Sequence, residues 1–116
     1  MTEAEVQAAL VAHLLERGWD VTTENADFTD VVARRGVERI VAEVKGHTSA
    51  ADTDLDTAYG QLLRRMTDAN ADATFVLAVP EVHGTAAARV PVTVRRVLGI
   101  EVWLVPEVGS LHRMDG

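Results

Sequence analysis

The chain has 116 residues, 47% of them apolar and 25% charged, with a formal net charge of −7 and no cysteine. That is enough for one domain (1–116) with one core, and it excludes disulfides and thiolate metal sites. The acidic balance argues against non-specific nucleic-acid binding over the whole surface, though not against a local basic face.

In chain order, residues 2–17 predict an amphipathic helix. Thr2 and Glu5 are spaced as a capping box, Val6, Leu10 and Leu14 supply the apolar face, and Gly18 ends it. The start MTEAEVQAAL is acidic and lacks the basic segment of a secretion signal. No apolar run reaches the ~20 residues of a membrane span. A cytoplasmic setting and no membrane partner are therefore expected. Residues 19–23 read as a short strand and 24–29 as a loop.

Residues 30–46, DVVARRGVERIVAEVKG, predict a β-hairpin turning at Gly36, where a positive φ is required. A turn centred between Gly36 and Val37 pairs residues whose numbers sum to 73. Arg34 then faces Arg39, Val32 faces Val41 and Asp30 faces Glu43. Opposed carboxylates with Cβ atoms ~5 Å apart repel unless a cation separates them. Lys45 shares the face of Glu43 because side chains alternate along a strand. It is also the one lysine among 11 cationic side chains. Both hairpin faces are otherwise apolar, as for a strand pair covered on both sides.

Asp52, Asp54 and Asp56 open a helix predicted to run to about residue 70, with a buried stripe of Leu55, Tyr59, Leu62, Leu63 and Met66. Thr57 and Leu63 stand where a calcium loop needs glycine and glutamate, which excludes that motif. Residues 73–79 predict a buried strand. Residues 85–98 predict a helix that Pro91 opens or kinks, and 100–105 a last strand before a tail that pairs briefly or frays. There is no glycine-rich phosphate loop.

Asp30 followed by Glu43-Val44-Lys45 on a hairpin between two helices resembles the PD-(D/E)XK nuclease superfamily. Gln7, eleven residues before Gly18, and Gln61 in AYGQLLRRM match positions where members carry glutamine or glutamate. The segments FVLAVP and LGIEVWLVPEVG resemble the closing strands of small bacterial members. The sequence departs from the pattern at Thr29, where many members have proline, and in the neutral Gln7.

The resemblance implies an α/β, restriction-endonuclease-like fold: a mixed sheet flanked by helices, in the order α-β-β-β-α-β-α-β. It implies a Mg²⁺- or Mn²⁺-dependent endonuclease acting on DNA in repair, recombination or defence. Asp30, Glu43 and the Val44 carbonyl are the expected hard-oxygen metal ligands, with Asp27 as an alternative. Lys45 acts electrostatically, because two neighbouring carboxylates oppose the depressed pKa that a base would need. Gln61 orients Lys45, water or phosphate, while Gln7, Glu5 and His47 are accessory candidates. A core this small implies a homodimer or larger assembly for cutting both strands. The other reading is a catalytically inactive nucleic-acid- or protein-binding module of the same fold.

Overall fold

The computed structural model describes residues 1–24 and 30–116. Helix α1 (Glu3–Glu16) starts at the expected capping box: Thr2 N–H donates to Glu5 Oε1 at 2.9 Å, and Glu5 N–H to Thr2 Oγ1 at 3.1 Å. It ends in a Schellman motif, with Trp19 N–H on Leu14 O, Gly18 N–H on Leu15 O and Gly18 at φ 82°. Thr2→Ala removes the cap and is expected to cost about 1 kcal/mol, read as a lower thermal midpoint.

Strands β1 (Asp20–Thr22), β2 (Val31–Arg35) and β3 (Glu38–Val44) form an antiparallel meander. The hairpin register is the predicted one, with Arg34 opposite Arg39 and Val32 opposite Val41 around Gly36 at φ 61°. Helix α2 (Ala51–Arg64) leads to β4 (Thr74–Pro80), which pairs parallel to β3. Short helices α3 (Gly84–Ala87) and α4 (Val92–Leu98) lead to β5 (Ile100–Val105), parallel to β4, and β6 (His112–Arg113) pairs antiparallel to β5. The result is a mixed six-stranded sheet in the order β1-β2-β3-β4-β5-β6.

Alternation along the strands divides the core. Val31, Ala33, Ile40, Ala42 and Val44 meet Val6, Leu10 and Leu14 of α1 on one face. On the other, Val41, Phe75 and Leu77 meet Leu55, Ala58, Tyr59 and Leu62 of α2. Among the described residues, no helix is long and apolar enough to cross a membrane.

Three details differ from expectation. Helix α2 stops at Arg64, short of residue 70, and only a 3₁₀ turn (Asp68–Asn70) follows. Leu63 is 48% exposed because it stands one residue, about 100° of helix, beyond the buried Leu62. The single helix over 85–98 is two. Pro91 disfavours α geometry at Val90 and stands as the N-cap of α4, its carbonyl accepting Arg95 N–H at 3.0 Å. The tail pairs briefly, one of the two outcomes expected of it, as strand β6 beyond the predicted element order.

Candidate functional site

The β2–β3 ladder ends at Val31 opposite Ala42. Beyond it, Val44 N–H donates to Asp30 Oδ2 at 2.7 Å. Lys45 N–H turns the other way, onto Ala78 O of β4 at 3.0 Å. Because a residue's N–H and C=O leave a strand on the same side, the Val44 carbonyl opens toward Asp30.

Glu43 shares the α2 face of the sheet with Val41 and is only 4% exposed. Its Oε1 is buried without a hydrogen bond. The Arg65 guanidinium stands 3.9 Å away, beyond the ~2.8 Å of a charge-assisted hydrogen bond. Burial pushes the Glu43 pKa up to about 7, helped by the Asp30 carboxyl beside it, while Arg65 and Lys45 pull the other way.

This fixes the sign of a pH effect. A carboxyl with a raised folded pKa contributes stability that is fully present below its unfolded value near 4.5 and is lost as pH rises through about 7. In chelator, stability attributable to Glu43 should fall across that window by up to about 3 kcal/mol. Denaturant titrations of wild type and Glu43→Gln check this. Relative to wild type, the variant should gain stability between pH 4.5 and 8.

Gln61 lies on α2 one turn before Arg65, so both project from the same face; its Oε1 is buried without a hydrogen bond. Gln7 rides on α1, which packs the opposite face of the sheet from Glu43. The Glu5 carboxylate is engaged in the α1 cap. Asp27 and Thr29 lie outside the described residues.

His47 N–H donates to Met1 O at 2.7 Å, and its ring stacks on His83, centroids 5.1 Å apart. His83 is buried, and its Nε2 accepts Thr48 N–H at 3.1 Å. Burial, then the neighbouring His47, lowers its pKa. Thr48 Oγ1 donates to Asp54 Oδ2 at 2.5 Å. The loop after Lys45 is thus tied to the N-terminus, to α2 and to the turn after β4.

Arg65 and His83 are the neighbours of the site that sequence reasoning missed. The i, i+4 spacing of Gln61 and Arg65 was a usable signal for the first. No spacing points to the second.

Among the described residues, no group of three His, Cys, Asp or Glu is arranged to hold a metal. The candidate donors are the Asp30 and Glu43 carboxylates with the Val44 main-chain carbonyl. They fit a hard divalent cation: the orphaned Glu43 Oε1 and the mutual repulsion of Asp30 and Glu43 are both relieved by positive charge between them.

No protein-family model and no curated protein matches the chain. Two solved structures share its fold. One is an XisH family protein from Nostoc punctiforme PCC 73102, 18% identical, with a TM-score of 0.63 over 87% of this chain and 90% of that one. The other is an fdxN element excision controlling factor protein from Anabaena variabilis, 19% identical, with a TM-score of 0.62 over 90% of this chain and 89% of that one. The chain therefore has the mixed α/β fold of these proteins, a six-stranded sheet flanked by helices.

Proposed function

We propose that this protein is a PD-(D/E)XK-type, metal-dependent endonuclease that hydrolyses DNA phosphodiester bonds. The observation that carries the reading is the end of the hairpin, where Asp30 holds Val44 N–H beside a buried Glu43 with its pKa pushed up to about 7.

In this reading Asp30, Glu43 and the Val44 carbonyl hold Mg²⁺ or Mn²⁺. When bound, the ion supplies Lewis-acid activation of water and neutralises charge on the phosphate. Lys45 lies beside the carboxylates and stabilises negative charge at the attacked phosphorus. Gln61, its carbonyl oxygen unpartnered, orients Lys45 or the attacking water. DNA as the substrate is supported by the name of the Anabaena variabilis neighbour, an fdxN element excision controlling factor protein. Cutting both strands of a duplex needs two such sites, hence a homodimer or larger assembly.

A second reading is a non-catalytic module of the same fold. It is favoured by the Arg65 cation that already faces Glu43 at 3.9 Å, and by the word "controlling" in that neighbour's name. Plasmid nicking separates the two. Mg²⁺-dependent relaxation of supercoiled DNA, lost in Glu43→Gln, supports the nuclease. Absence of nicking together with no calorimetric uptake of Mn²⁺ supports the module.

A further inference from the structure

A cleft of about 560 Å³ opens between the C-terminal end of α1, the β2–β3 turn and β6. That volume suits a small-molecule site. It lies toward the hairpin turn, whereas Asp30 and Lys45 lie at the opposite end of the hairpin.

The chain's two tryptophans both line it. The Arg35 guanidinium lies 4.4 Å above the Trp19 ring, and the His13 ring meets Trp103 edge-on with centroids 5.5 Å apart. Burial, then Arg17, lowers the His13 pKa.

Arg17, Arg39 and Arg113 join Arg35 around the cleft, against three carboxylates. Two of those carboxylates are already engaged, Glu38 with Arg35 and Glu101 with Arg113, each at 3.2 Å. Among the described residues, Arg39 bonds neutral groups, Ala69 O and the Asn70 side chain. Arg17 donates to His13 O at 3.2 Å and meets Glu16 at 3.8 Å across exposed surface, a pair worth little in water. On a chain of net charge −7, this cleft has an excess of arginine beside aromatic rings.

We propose that the cleft binds a nucleotide, its base against the Arg35–Trp19 stack and the His13–Trp103 pair, its phosphate on Arg17 and Arg113. Guanidinium planes stack on rings and fork onto phosphate oxygens, and base–aromatic stacking is worth ~1–3 kcal/mol per base. With no glycine-rich loop in the chain, the phosphate contacts come from side chains. The Arg17 and Arg113 side chains are 50% and 69% exposed and can turn to a ligand without opening the core. The proposal stands whether or not the Asp30–Glu43 end cuts DNA.

Intrinsic tryptophan emission reports on the cleft directly. It is titrated with AMP, adenosine, inorganic phosphate and a 5′-phosphorylated hexadeoxyadenylate. AMP should quench emission saturably, and Arg17→Ala/Arg113→Ala should weaken it at least tenfold at an unchanged melting temperature. Arg17→Glu, at an exposed helix end, gives the same comparison without touching β6. Glu43→Gln should bind as wild type does. Tighter binding of the oligonucleotide than of AMP assigns the site to an unpaired residue of a strand, and weaker binding to a free nucleotide. No saturable change with either, or equal AMP affinity in both arginine variants, overturns the proposal. So does adenosine or phosphate binding as tightly as AMP.

Discussion

Lys45→Ala is expected to slow Mg²⁺-dependent nicking of supercoiled plasmid by about 10²–10³-fold, the usual cost of removing one preorganised charge-stabilising group. The backbone at this position is fixed independently of the side chain, by Lys45 N–H on Ala78 O. The side chain is half-buried, so its loss should leave the thermal midpoint nearly unchanged. Lys45 also lowers the Glu43 pKa, so without it Glu43 ionises less readily and metal uptake shifts to higher pH. Lys45→Arg should rescue poorly, because a planar fork does not replace a compact ammonium. Initial nicking rates with parallel Mn²⁺ calorimetry check this. Nicking by Lys45→Ala at the wild-type rate would remove Lys45 from the chemistry.

Gly46→Ala is expected to be the most damaging single-methyl change near the site. A Cβ at Gly46 would stand 2.6 Å from Thr2 C and 2.9 Å from Glu3 Cα, with Glu3 N closer still. These are backbone atoms at the capped start of α1, which cannot swing aside as a side-chain tip would. Either α1 or the loop after Lys45 must move. The cost should be about 3 kcal/mol, the upper end for overpacking, lowering the melting temperature by roughly 10 °C. His47 N–H is held by Met1 O and Lys45 precedes the glycine, so activity should fall along with stability. Thermal melts and nicking rates together test this. A melting temperature within a degree of wild type would contradict the close packing of α1 on this loop.

The central hairpin was legible because its constraints are local. Gly36 fixes the turn, and alternation then fixes which carboxylates meet and which side chains reach α1 or α2. Thr2, Glu5 and Gly18 marked both ends of α1 for the same reason. What the sequence hid depends on contacts distant along the chain. Arg65 reaches Glu43 only because α2 folds back over β3. His83 meets Thr48 from 35 positions away. The close approach behind Gly46 is likewise tertiary: the glycine reads as the end of a strand until α1 is placed against it. Strand β6 is two residues long, too short to produce a periodic signal. The cleft between α1 and the hairpin turn gathers arginines that read, pair by pair, as solvated surface charge.

The most direct test of the proposed metal-dependent chemistry is an anomalous-scattering difference map from crystals soaked in Mn²⁺. The account predicts a single strong peak between the Asp30 and Glu43 carboxylates, within coordination distance of the Val44 carbonyl, and its loss in Glu43→Gln. No peak there at saturating Mn²⁺, with Glu43 still facing Arg65, would contradict it.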